Sequence, residues 1–247
     1  MISRTFISRL LSRLSVGLAL LRRSNRVGSS GAWASMFVIV AAALPLAAQA
    51  ADGDLSVNAR LLVAARNADG AAIERALQQG AAINSRNRLG ESALLIVLQK
   101  DRVDLARALI DAGADINQPA LNGVTPLMAA AYGGHLDIAR LLIDKGADIA
   151  AVDRLKKNAI TYAAGEGRTE VVKLLIDKGV DPNAVYTNDL TALMWAAGYG
   201  KTETVKLLLA AGAKTGLKDN RGKTALDMAR EGKYDETVRL LSEAGKS

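Results

Sequence analysis

Asn122-Gly123-Val124-Thr125-Pro126-Leu127-Met128-Ala129-Ala130-Ala131-Tyr132-Gly133-Gly134-His135, continuing through Ile138 and Leu141-Leu142 to Gly146-Ala147-Asp148, contains the local grammar of a complete structural unit. Thr125 is a helix N-cap and Pro126 suits the first helical position, where its missing N–H costs nothing. The small side chains of Ala129, Ala130 and Ala131 let two helices approach closely. Leu136 to Ile143 repeats apolar residues at helical spacing, which predicts a second helix. Gly146 then ends that helix where a positive φ is required. The unit reads as turn–helix–turn–helix, and it recurs. Gly80, Gly113, Gly146, Gly179, Gly212 and Gly245 lie 33 residues apart. Ser92-Ala93-Leu94, Thr125-Pro126-Leu127, Asn158-Ala159-Ile160, Thr191-Ala192-Leu193 and Thr224-Ala225-Leu226 keep the same interval, as do Leu109, Leu142, Leu175, Leu208 and Leu241. Three columns in one register mark an array whose units bury their apolar sides only by stacking on each other.

The turn glycine, T-P-L, paired alanines, G-H, I/V-L-L helix and G-A-D of residues 122–148 closely resemble the ankyrin motif. The resemblance spans about residues 56–247 and implies an all-α ankyrin-repeat solenoid of about six helix-turn-helix units with short hairpin tips. The units fall at approximately 56–85, 86–118, 119–151, 152–184, 185–217 and 218–247, the first and last incomplete. The tip glycine is present as Gly90, Gly123 and Gly222, but Lys156 and Asp189 replace it in units four and five, which predicts altered or charged turns there. The motif's usual histidine after T-P-L is absent; Leu95, Met128, Thr161, Met194 and Asp227 occupy that column. Unit one lacks the T-x-L entry and reads as an N-terminal cap, and unit six closes on polar residues as an end cap.

Residues 1–50 differ in kind. They contain six arginines, no lysine and no acid, then an apolar stretch from Ala32 to Ala47 and the small-residue site Ala48-Gln49-Ala50. Basic region, apolar core and A-x-A site are the parts of a secretory signal. The expectation is therefore a signal peptide over 1–50, cleavage before Ala51, a mature domain over 51–247 and a periplasmic or secreted location. The Ser- and Arg-rich first 21 residues also suit a mitochondrial presequence, a reading that leaves the A-x-A site unexplained. Arg22-Arg23 is followed by Ser24-Asn25-Arg26 and lacks the apolar pair of a twin-arginine signal. Retained instead of cleaved, Ala32–Ala47 would be a short anchor; once removed, no remaining segment approaches the ~20 apolar residues of a membrane span.

The chain's net charge of +7 belongs to this leader, because residues 51–247 hold 26 basic against 25 acidic residues. A near-neutral domain gives no reason to expect nucleic acid, whose affinity rests on Lys and Arg contacts to phosphates. The absence of cysteine excludes a disulfide framework, thiol nucleophiles and Cys-ligated zinc. His135, the sole histidine, sits at the G-H position opening a second helix and reads as a turn and inter-unit contact. A lone histidine is too few for catalytic zinc, and no G-x-S-x-G elbow presents a serine to it. Gly222-Lys223-Thr224 imitates the end of a phosphate loop, but Gly216 stands one residue too far away. Asp111, Asp144 and Asp177 recur at the repeat period and read as a solvated helix face. No enzyme activity, cofactor or metal is expected.

The aromatics are concentrated. Outside the leader they are Tyr132, Tyr162, Tyr186, Trp195, Tyr199 and Tyr234, all in units three to six, and none fills a column the repeat uses for its core. The resemblance places Tyr132, Tyr162, Trp195 and Tyr199 on first helices and Tyr186 near a tip, positions that line the concave groove of ankyrin arrays. Tyr and Trp are favoured interface anchors. Packing between adjacent first helices is the structural alternative. Arg154, Lys156, Lys157, Glu166 and Asp189 form a polar rim around the stripe. The expected function is a monomeric, exported, non-enzymatic module that binds a protein partner through this face. The alternative is an inhibitor, immunity-type or accessory protein that modulates an enzyme.

Overall fold

The twelve α-helices of the computed structural model, which describes residues 55–245, follow one rule of local chemistry. The expected signal peptide and its cleavage site lie outside the described residues. In chain order the helices are α1 (Val57–Arg66), α2 (Gly70–Gln78), α3 (Ala93–Gln99), α4 (Val103–Asp111), α5 (Pro126–Gly133), α6 (Leu136–Asp144), α7 (Ala159–Glu166), α8 (Thr169–Asp177), α9 (Ala192–Gly198), α10 (Thr202–Ala210), α11 (Ala225–Glu231) and α12 (Asp235–Ala244). Each odd helix from α3 onward opens on the T-x-L column. Thr125 Oγ1 accepts the Met128 N–H at 3.3 Å, and Ser92, Asn158, Thr191 and Thr224 do the same for their own helices. The residues standing where the motif's histidine is missing complete the cap. Met128 Sδ, Thr161 Oγ1, Met194 Sδ and Asp227 Oδ2 accept the N–H of the capping residue three positions earlier. This is a reciprocal box that satisfies two orphan donors at the starts of α5, α7, α9 and α11, whereas Leu95 offers no acceptor at α3. That column therefore serves its own unit.

Each even helix ends on the glycine column. Gly146 has φ of 91°, its N–H donates to Ile143 O, and the Ala147 N–H reaches back to Leu142 O. The same pair of bonds recurs at Gly80, Gly113, Gly179 and Gly212, so the period is a train of Schellman caps. Gly245 departs from the column. Its φ is −80°, because α12 runs on to Ala244 and Gly245 caps it in the right-handed region.

Odd helices pack on odd helices and even on even, giving two layers along the stack. Alanines at 130, 131, 163, 164, 196 and 197 are fully buried where the odd helices meet, as close approach requires. The Leu column supplies the interior of the even layer: Leu109, Leu142, Leu175, Leu208 and Leu241 are at most 2% exposed. Asparagines stitch neighbouring units through long-range bonds: Asn84, Asn117 and Asn183 accept the N–H groups of Asp115, Asp148 and Lys214. The G-H position is a second seam. Arg102 donates to Ala68 O, His135 Nε2 meets Asp101 at 3.1 Å, and Arg168 donates to Tyr132 O. His135 is thus a contact between units, as its place in the motif indicates.

Among the described residues no helix is long and apolar enough to cross a membrane. Asp111 and Asp144, on the exposed side of the even helices, face lysines of the following unit, with Lys178 Nζ 2.8 Å from Asp144. Lys223 of the pseudo-phosphate loop pairs with Glu231, and Thr224 caps α11.

Candidate protein-interaction face

The tips that precede the odd helices are hairpins with a shared bond, in which the N–H of residue 87, 120, 153, 186 or 219 donates to the carbonyl four residues on. Where that residue is Asn or Asp, its side chain also satisfies the turn. Asp153 Oδ1 accepts the Leu155 and Lys157 N–H groups at 2.8 Å each, and Asn87 and Asp219 act alike. Asp219 is held below the usual carboxylate range: burial opposes this, but the Lys223 and Arg221 N–H groups and the Arg221 guanidinium outweigh it. Lys156 stands at φ of 59° in the place of a glycine, keeping the turn with a charged residue. Unit five has Tyr186 in the Asx position. Its tip folds instead into a short 3₁₀ turn over Thr187–Asp189, with Asn188 and Asp189 both left-handed. The altered turn expected from Asp189 is present, and the lost Asx acceptor accompanies it.

The structure brings four of the sequence-selected aromatics into two pairs. Tyr132 on α5 meets Tyr162 on α7 edge to face, with centroids 6.2 Å apart. Trp195 on α9 stacks on Tyr199, which caps the end of that helix, at 6.0 Å with ring planes 7° apart. Lys157 joins the pairs, its ammonium 5.6 Å from the Tyr162 centroid and 4.4 Å from that of Trp195. A cation over two rings holds the pairs in one line. The Trp195–Tyr199 pair lies against the bare backbone of α7 at Gly165, where an added Cβ would sit 3.7 Å from Trp195 and 3.8 Å from Tyr199.

Exposure divides the stripe. Tyr132 and Tyr199 are 52% and 55% exposed, whereas Tyr162 and Trp195 are half-buried. Packing and presentation thus coexist on one face. Tyr162 donates its hydroxyl to Asp153 Oδ2 at 2.6 Å. Burial, then this bond and the Asp153 charge, push its phenol well above the ordinary tyrosine range. Trp195 Nε1 is buried and makes no hydrogen bond among the described residues.

Tyr186 stands apart. It packs on the core beneath the fifth tip and makes no ring contact with the other four; burial, chiefly, raises its phenol pKa. Arg154 is exposed on the fourth tip, its backbone N–H bonded to Asn122 O. Glu166 is half-buried at the end of α7 and joins no ion pair among the described residues.

Two depressions flank the aromatic line. One, of about 320 Å³, has Leu98, Met128, Ala129, Tyr132, Tyr162 and Arg168 among its walls. The other, of about 430 Å³, lies between α9 and α11 and is lined by Met194, Trp195, Tyr199, Arg221, Met228 and Glu231. Sequence reasoning placed Lys157 only on the rim and missed Asp153 and Arg168. The Asx column of the tips would have found Asp153, and the column opening each even helix would have found Arg168.

Paired helices stacked in two layers, with hairpin tips and an open aromatic face, define a helical-repeat solenoid. The family described as ankyrin repeats (3 copies) matches residues 61–153, 112–186 and 160–247, and the chain belongs to it. Ankyrin repeats are protein-interaction modules, which supports a protein-binding role for this chain. No curated protein matches it.

Proposed function

We propose that the protein is exported by its N-terminal leader and binds another protein through the concave face of units three to five. The observation that carries the reading is Trp195. A tryptophan whose buried indole N–H has no partner among the described residues breaks the local rule that buried donors are paired, at a cost of ~1–3 kcal/mol. Trp195 packs partly against the core, yet it leaves its donor unpaired, and residues that break local rules concentrate at functional sites. Its stacking partner Tyr199 is exposed, so the pair presents a flat, pre-ordered aromatic surface beside a depression.

The test is affinity capture with protein recovered from the exported fraction, whose N-terminus is expected at Ala51 by intact mass. A Trp195→Ala/Tyr199→Ala variant is expected to keep its helical circular dichroism and to lose partner affinity by ~2 kcal/mol or more, the scale of a buried aromatic anchor. An unfolded variant would make the stripe core packing. Undiminished capture would move the interface elsewhere, and a chain that retains residues 1–50 would remove the export step.

A further inference from the structure

We infer that the hairpin tips of units two to four form a rigid basic–apolar strip that takes an extended acidic protein segment bearing aliphatic side chains. This rests on the protein-binding reading and adds a second surface and the chemistry of the partner.

The apolar part is explicit. Leu89, Leu121 and Leu155, one on each of three consecutive tips, are 60%, 53% and 62% exposed. None of the three packs against the core, and they fall on three successive tips. The strip is pre-ordered. The Leu121 N–H donates to Leu89 O and the Arg154 N–H to Asn122 O, both at 2.9 Å, tying tip to tip. Arg86 adds a clamp, bonding Gly90 O of its own tip and Pro119 O of the next.

The charge is one-sided. Arg88, Arg154 and Lys156 are exposed beside these leucines with no ion-pair partner among the described residues. The acids of the same tips are engaged inward: Glu91 accepts from Asn87, and buried Asp153 accepts from its own turn and from Tyr162. The sixth tip behaves differently, since its Arg221 and Lys223 are neutralised by Asp219 and Glu231. The even layer is mixed in sign, with Asp111, Asp144, Asp177 and Glu203 paired to Lys145, Lys178, Lys173 and Lys206. An acidic partner is therefore drawn to the unpaired bases of the tips, which is how charge complementarity sets orientation.

Helices packed ~10 Å apart put three tips across roughly 20 Å, a span that six to eight residues of extended chain cover. Carboxylate and aliphatic side chains match the strip's bases Arg88, Arg154 and Lys156 and its leucines. Lys157 turns from the same tip onto Trp195, linking strip to groove, so a protein chain can engage both where a flat bilayer reaches only the tips.

The experiment is fluorescence anisotropy on the full chain with labelled peptides of about eight residues, alternating Glu/Leu, Lys/Leu or Glu/Ser. Anionic phosphatidylglycerol vesicles and single-stranded DNA serve as competitors. The Glu/Leu peptide is expected to bind about tenfold tighter than either control and to weaken as salt is raised. Arg88→Glu/Arg154→Glu and Leu89→Ala/Leu155→Ala are each expected to lose about tenfold with unchanged circular dichroism, while Trp195→Ala/Tyr199→Ala leaves peptide binding intact. A Glu/Leu peptide that binds no better than its controls overturns the proposal. So do vesicles or DNA that bind more tightly than the peptide, and a charge-reversed tip that binds normally. Partner capture that is lost with Trp195→Ala/Tyr199→Ala but kept with Arg88→Glu/Arg154→Glu leaves the concave-face reading standing without this one.

Discussion

Asp153 shows how a single side chain in this array can serve both structure and surface. One carboxylate oxygen closes the fourth tip by taking two backbone N–H groups; the other takes the Tyr162 hydroxyl at 2.6 Å and so fixes a ring of the aromatic line. Removing the hydroxyl leaves a buried carboxylate oxygen without its donor. Tyr162→Phe is therefore expected to destabilise the protein by about 1.5–3 kcal/mol, the range for a hydrogen bond to a charged group. Asp153→Ala is expected to cost more, because it also frees the two turn donors. Urea denaturation of the two variants checks the order; a neutral Tyr162→Phe would mean that the phenol is held by ring packing alone.

Among the elements, the hairpin tip is where units differ while the helix pair stays constant. Its left-handed residue is glycine in three units and Lys156 in the fourth, at φ of 59°. A residue with a Cβ in that region carries ~1–2 kcal/mol of strain, part of which glycine's greater unfolded-state entropy offsets. Lys156→Gly is thus expected to stabilise the domain by about 0.5–1 kcal/mol in the denaturation midpoint. Retaining lysine against this gradient agrees with a surface role for the fourth tip, whose Leu155 is exposed and whose Lys157 lies over Trp195. A destabilised glycine variant would mean instead that the lysine supports its own turn.

The whole molecule is a one-dimensional stack, and position in it matters as much as burial. Leu175 and Leu241 occupy one column and are 0% and 1% exposed, so burial alone predicts equal losses on truncation. Leu175 lies in α8, which has packed even helices on both sides, whereas among the described even helices α12 packs on α10 alone. Leu175→Ala is expected to cost ~2–5 kcal/mol, as for other emptied leucine sites, and to disrupt the centre of the array. Leu241→Ala is expected to cost less and to fray unit six. Chemical denaturation followed with hydrogen exchange separates the outcomes, and equal global losses would contradict nearest-neighbour coupling.

What the amino-acid sequence determined by itself is whatever closes within a few residues. The T-x-L cap satisfies donors three positions away, and the glycine column accepts a positive φ for bonds spanning three to five residues, so the helix pair and its period were legible at once. The concentration of aromatics in units three to six was legible too, since composition needs no coordinates. Only the tertiary structure decided which aromatics act together. Tyr132 finds Tyr162, Lys157 finds Trp195, and Tyr186 sinks onto the core, because those contacts depend on how successive units are rotated and spaced. The same holds for the tips: the bonds from Leu121 N–H to Leu89 O and from Arg154 N–H to Asn122 O tie successive tips together across a repeat length. Contacts about a repeat length apart are set by packing geometry, which no local pattern encodes.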